Sequence, residues 1–262
     1  MRGYEIADCA SCGHRMVAAM PQPDHVAATY DDSYFTGGGA GYSDYLAEGR
    51  LLRARGKRYG DVLAKRATPG RVLDVGAAAG FVLQGLTDAG WTGAGVEPNA
   101  AMAAYARTEQ HLDVATGPFE TAAPQGPYDA LTMIQVVAHF VDPAEAVRRA
   151  GDLLRPGGLL LIETWDHASR TARLAGTKWH EYSPPSVLHW FDRPGLDRLA
   201  TTCGFEVVDH GRMIKWIGGG HARSALEHAL GRTGAALAKI VPERLSIPYP
   251  SEDLFWALYR RS

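Results

Sequence analysis

The chain has 262 residues, 46% hydrophobic and 21% charged, enough apolar material for one large globular domain or a domain with an accessory cap. Lys and Arg number 27 against 29 Asp and Glu, a formal charge of -2, so the basic surplus of a nucleic-acid binder is excluded. No apolar run approaches the roughly 20 residues that span a bilayer, the first residues lack the apolar core of a signal peptide, and three cysteines do not make a disulfide framework. A soluble cytoplasmic protein, monomer or homodimer, is expected, with no nucleic-acid or membrane partner.

Residues 1 to 41 carry little periodicity and read as an arm of loop, with short ordered pieces around Tyr30 to Phe35 and a flexible glycine stretch at 37 to 41. From Tyr42 to Arg66, Leu46, Leu51, Leu52, Tyr59, Val62 and Leu63 form a broken helical stripe. From Arg71 short apolar runs alternate with helical segments. Strands are expected at 71–75, 93–96, 112–115, 129–134 and 158–164, and helices near 79–88, 98–109 and 142–154. Residues 166 to 192 interrupt this alternation with aromatics and histidines. A helix at 193–203 and a strand at 205–209 resume it, a second insertion carries a helix near 221–240, and a last strand covers 254–260. Continuous apolar strands separated by helices argue for an α/β fold, a doubly wound and mostly parallel sheet covered on both faces. The expected organisation is an arm and cap helix over 1–66. A ligand-binding domain follows over 67–262, with insertions at about 166–192 and 212–250.

In such a sheet the first strand-to-helix turn is the default ligand site. Here it reads Asp74-Val-Gly76-Ala-Ala78-Ala-Gly80. A dinucleotide fingerprint needs glycines at 76, 78 and 81, and the last two positions are Ala78 and Phe81. Asp74 would repel a pyrophosphate, which argues against an NAD-dependent oxidoreductase, a rival reading. It would attract a ligand with a cationic amino-acid end, such as S-adenosylmethionine (SAM). Gly76 lets the backbone approach that ligand, and Gly80 allows close packing where the helix begins. The second strand ends Gly95-Val-Glu97-Pro98, where a carboxylate can accept both hydroxyls of a ribose.

These residues resemble the class I SAM-dependent methyltransferases over roughly residues 70 to 210. VLDVGAAAGFVL is similar to the family's first motif and GVEPNAAMAAYAR to its ribose-binding strand and helix. Residues Tyr128 to Pro143 resemble its fourth-strand motif, and LLRPGGLLLIET the turn into its fifth strand. The resemblance implies a seven-stranded sheet and SAM as cofactor. It assigns the turn residues Asp74, Gly76, Ala77, Ala78, Gly80 and Phe81 to the cofactor, together with Glu97 and Pro98. It also implies that Phe119 borders the adenine and that Gln135 and Val136 pass close to the methionine part. Tyr30-Asp-Asp-Ser-Tyr34-Phe35 resembles a lid element, which would bring Tyr34 over the cofactor. Two positions depart from the family: Ala78 replaces the middle glycine, and Ala138 replaces a Glu before His139.

Methyl transfer from a sulfonium is an in-line displacement, and an oxygen acceptor of high pKa needs a base, most often His. His139 follows the fourth strand beside the expected cofactor site. His180 and His189, in the aromatic insertion, are further candidates; Trp179 to Phe191 resembles a W-H-x-x-x-P-x-x-x-x-H-x-F pattern in one branch of the family. The expected acceptor is a small hydroxylated molecule, a sugar or natural-product intermediate, methylated on oxygen. N- or C-methylation and a non-catalytic SAM-binding module are the alternatives. Cys9-Ala-Ser-Cys12-Gly13 looks like one knuckle of a zinc ribbon, but a structural zinc needs four ligands. It reads as a remnant knuckle, and no metal site is expected.

Overall fold

A computed structural model describes residues 3–19, 25–36, 45–219, 223, 242, 246–249 and 251–262. The first described elements are the strands β1 (Ile6–Asp8) and β2 (Arg15–Val17) and the helices α1 (His25–Thr29), α2 (Asp32–Thr36) and α3 (Gly49–Ala64). Then come β3 (Arg71–Val75), α4 (Phe81–Asp88), β4 (Thr92–Glu97), α5 (Ala100–Thr108), β5 (Asp113–Thr116), β6 (Tyr128–Ile134), α6 (Pro143–Leu153) and β7 (Leu154–Trp165). The chain continues through α7 (Arg170–Ala175), β8 (His189–Trp190), α8 (Arg193–Thr202), β9 (Phe205–Gly211), β10 (Lys215–Gly218), β11 (Ser246–Tyr249) and β12 (Leu254–Arg261).

Seven strands form one sheet in the order β5-β4-β3-β6-β7-β12-β9. The pairs from β5 to β7 are parallel, and β12 runs antiparallel to both β7 and β9. Successive side chains in a strand point to opposite faces, and the core divides accordingly. Val72, Ala130, Leu159, Leu161 and Leu258 pack with α3, α4 and α5. Leu73, Leu131, Leu160, Ile162 and Phe255 pack with α6 and α8 on the other face. The helices begin where their caps dictate: Asn99, Asp142 and Asp192 accept backbone N–H groups of α5, α6 and α8. Helices α3 and α4 touch backbone to backbone, since a Cβ on Gly56 would lie 2.1 Å from the Val82 carbonyl and one on Gly85 2.1 Å from the Arg53 carbonyl.

The arm is more ordered than its composition suggests. β1 and β2 form an antiparallel hairpin, and β2 also pairs with β8. This three-stranded sheet joins the arm to the aromatic insertion, correcting the loop expected there. Strands of two or three residues are too short to carry a period. The Cys9–Cys12 turn is the tip of the hairpin, closed by bonds of 2.8 Å from Cys9 N to the His14 carbonyl and from Gly13 N to the Cys9 carbonyl. The Ser11 hydroxyl and nearby backbone N–H groups bring the Cys9 thiol down to about 6. Among the described residues no group of three or more His, Cys, Asp or Glu is placed to hold a metal, and no helix is long and apolar enough to cross a membrane. The glycine stretch at 37–41 and nearly all of the helix expected near 221–240 lie outside the described residues.

Candidate active site

The cleft opens at the carboxyl ends of β3, β4 and β6, where an open α/β sheet binds ligands. It encloses about 1060 Å³ with its open mouth included. Beyond β3 the chain turns through left-handed conformations at Gly76 (φ 71°), Ala78 (φ 46°) and Gly80 (φ 83°). A Cβ on Gly76 would lie 2.7 Å from Cγ2 of Val136, so only glycine keeps this turn against the loop after β6. For Ala78 the left-handed conformation costs about 1–2 kcal/mol. Its N–H donates to Glu97 Oε2 at 2.8 Å, which offsets that cost and ties the turn to the end of β4.

Glu97 is buried and accepts a second backbone bond, from Asn99 N to Oε1 at 2.8 Å. Each carboxylate oxygen keeps a lone pair for a hydroxyl. Asp74, also buried, accepts from Thr132 Oγ1 at 2.6 Å. Burial pushes Asp74 up to about 7, the Thr132 bond opposing and the Glu97 charge adding to the rise. Burial likewise raises Glu97 to about 7 against the pull of the Asn99 and Ala78 N–H groups. Two buried acids, with no cation bonded to either carboxylate among the described residues, favour a cationic ligand.

These shifts fix a sign. A carboxyl raised in the folded state binds more protons there than in the unfolded chain, so its stability contribution is lost as pH rises through about 7. Without ligand, the wild-type Tm should fall between pH 6 and 8 by about 3 °C more than that of Asp74→Asn, since one titration over that span is worth about 1.4 kcal/mol. Parallel melting curves for the two proteins would refute the raised carboxyl.

Deeper in the cleft, Gln135 stands at φ 57°. Its backbone N–H donates to the Glu163 carbonyl at 2.8 Å and its Nε2 to Glu163 Oε1 at 3.1 Å. Glu163 is fully buried and also accepts from Arg55 Nη2 and the Tyr59 hydroxyl. Arg55 Nε donates to that same hydroxyl at 2.8 Å, and Arg55 lines the cleft. The arm forms the opposite wall: Asn99 Nδ2 donates to the Tyr30 carbonyl and to Asp32 Oδ1, both at 3.0 Å, and Tyr30 and Tyr34 line the cleft with Phe119 and Glu120. His139 lines it too. Its Nδ1 lies 2.5 Å from the Ser186 carbonyl. A carbonyl only accepts, so Nδ1 carries the proton and the neutral ring has its lone pair on Nε2. Burial lowers the His139 pKa, against the Ser186 and Gln135 carbonyls, which favour the charged ring.

The cleft brings together most of the expected residues: Tyr34, Asp74, Gly76, Ala77, Ala78, Glu97, Pro98, Phe119, Gln135, Val136 and His139. Gly80 and Phe81 stand behind the turn instead. Gly80 starts α4, with Leu112 and Ala106 beside it, and Phe81 packs on Tyr45 and Tyr105. His180 and His189 are not among the cleft residues. His180 is 44% exposed and faces Glu181 at 3.4 Å, with its ring edge-on to Trp165. His189 is drawn into the short sheet, where its Nδ1 meets His14 Nε2 at 2.9 Å. Burial and the nearby His14 lower it to about 4. Sequence reasoning missed Arg55, Tyr59 and Glu163. The available signal was Glu163 itself, an acid closing the otherwise apolar run Leu159-Leu-Leu-Ile162.

The sheet order and the acid-ended strands opening on one cleft define a class I SAM-dependent methyltransferase. Residues 46–210 match the model of the methyltransferase domain, and the chain belongs to that family; it is an enzyme whose cofactor is SAM. It is 32% identical over 152 residues to a ubiquinone biosynthesis O-methyltransferase of Caulobacter sp. (strain K31), covering 54% of this chain and 60% of that protein. A protein of the same description from Bradyrhizobium diazoefficiens is 31% identical over 128 residues, covering 47% and 49%. The chain thus spans about half to 60% of the length of these curated relatives. Among solved structures, it is similar to the 1,6-didemethyltoxoflavin-N1-methyltransferase of Burkholderia thailandensis with bound S-adenosylhomocysteine (SAH). That match has a TM-score of 0.58 and 16% identity, and covers 98% of this chain and 99% of that one. The CcbJ methyltransferase of Streptomyces caelestis follows with a TM-score of 0.55 and 16% identity, covering 86% and 99%. At such identities these structures speak for the fold alone.

Proposed function

We propose that this enzyme methylates a hydroxyl of a small molecule, with His139 as the base. The observation that carries the reading is the His139 ring in the cleft, with Nδ1 bonded to the Ser186 carbonyl and its lone pair on Nε2. The O-methyltransferase relatives support an oxygen acceptor. When bound, SAM supplies an electrophilic methyl group. Asp74 would hold the ammonium end and Glu97 the ribose hydroxyls. Phe119 and Glu120 would border the adenine, and Arg55 and Gln135 the methionine part. His139 Nε2 would take the hydroxyl proton as the acceptor oxygen bonds to the methyl carbon and the sulfur–methyl bond breaks, its electron pair leaving with the sulfur. The arm residues Tyr30 and Tyr34 exclude water from that contact.

The reading is tested with methyl-labelled SAM and a panel of catechols, sugars and amines, the product being located by mass spectrometry. Label on oxygen of a small hydroxylated acceptor is the expected result; label on nitrogen or carbon would overturn it. Glu97→Ala should weaken SAM binding by about 2 kcal/mol through the lost charged hydrogen bonds. Unchanged affinity in calorimetry would remove Glu97 from the ribose site.

A further inference from the structure

The backbone carbonyl of Ser186, in the segment between α7 and β8, serves two side chains. It accepts the Tyr30 hydroxyl at 2.9 Å and His139 Nδ1–H at 2.5 Å. A carbonyl has two lone pairs, and both are used. The segment is held on its own account: Ser186 Oγ donates to the Ser183 carbonyl at 2.8 Å, and Leu188 N donates to the Ala138 carbonyl at 2.9 Å. Tyr30 also stands edge-on to the His139 ring, with centroids 5.7 Å apart at 87°. At its other end Tyr30 is gripped through its carbonyl by Asn99, the residue two after Glu97. A line of bonds therefore runs from the cofactor end of β4, through the arm, to the imidazole.

We propose that Tyr30 is a positioning residue for methyl transfer: by sharing the Ser186 carbonyl with His139, the arm sets the orientation and basicity of the imidazole as it covers the cofactor. This rests on the reading of His139 as the base. Two donors on one oxygen compete, so each bond is weaker than it would be alone. The Tyr30 hydroxyl thus withdraws part of the support the carbonyl would give a charged imidazolium, and His139 stays a neutral acceptor. Burial, with Tyr34, Glu120 and Glu97 nearby, keeps the Tyr30 phenol protonated and hence a donor. Among the described residues the other groups acting on His139 are the Gln135 carbonyl and His25 of α1, and Tyr30→Phe leaves both in the sequence.

Tyr30→Phe keeps the ring contact and deletes only the hydroxyl. In the SAH-bound protein, NMR titration of the His139 imidazole should show its pKa rising by about 0.5 unit or more, because the carbonyl then serves His139 alone. The acid limb of kcat should move up with it, so that kcat on that limb falls about threefold, with SAM affinity unchanged. An imidazole pKa that does not move overturns the proposal. So does a kcat loss matched by an equal loss of SAM affinity, which would make Tyr30 only a cover. If the imidazole shifts but His139→Asn retains full kcat, the base reading fails and Tyr30 loses its part in the transfer. The NMR and the kinetics thus separate the two failures.

Discussion

Arg55→Ala should cost the fold about 3–5 kcal/mol, the range for stripping one partner from a buried ion pair. Glu163 is fully buried on β7, and Arg55, itself 8% exposed, is the only cation bonded to it among the described residues. The carboxylate would keep the Tyr59 hydroxyl and Gln135 Nε2, but neither neutralises a charge far from water. Arg55 sits on α3 where that helix lies directly on α4 at Gly56 and Gly85. Urea denaturation measures the loss. The double variant Arg55→Met, Glu163→Gln should recover much of it, because the uncompensated charge is then gone. A single-variant loss under about 1 kcal/mol, the usual value of an exposed pair, would show that water reaches Glu163.

His139→Asn should lower kcat by about 10²- to 10⁴-fold, the usual contribution of a positioned base, while SAM still binds. Asn can donate to the Ser186 carbonyl but cannot take a proton. Because burial holds His139 below the ordinary histidine value of 6.5, wild-type kcat should be level at neutral pH and fall only on the acid side of that value. The variant should lose this limb altogether. A pH profile of kcat from about 5 to 9 tests both parts. Retention of the limb in His139→Asn would assign it to another group, and an undiminished kcat would remove the base from the mechanism.

The sheet was legible because its strands are long and apolar enough to carry a pattern. Val72-Leu-Asp-Val75 and Leu159-Leu-Leu-Ile162 are short apolar runs bounded by glycine or proline turns, the pattern of buried strands, and the glycines at 76 and 80 mark the turn between strand and helix. Asp74 and Glu97 stand out because acids at the ends of such strands are costly without a task. The side walls of the cleft were harder to read. His189 and His180 have the same local chemistry as His139; His189 is taken away by pairing between β2 and β8, a contact across some 170 residues whose short strands leave no period, and His180 is left exposed beside Glu181. The Arg55–Tyr59–Glu163 group depends on a helix and a strand more than 100 residues apart. Tyr30 was visible as part of a lid element, but its partner is a backbone carbonyl, which no side-chain pattern can announce.

The position of β12 has a consequence for how the chain is made. β12 lies between β7 and β9, and β9 has no other strand partner among the described residues. As synthesis proceeds, β3 through β7 emerge first and can pair with one another, so the strands beneath the cleft assemble early. β9 emerges next but, among the described residues, has no strand to pair with until residues 254–261 follow. In that interval the outer edge of β7, carrying Leu159 to Ile162, is an open template for another nascent chain. The edge of β7 is thus exposed while the cofactor floor is built and the sheet still lacks β12.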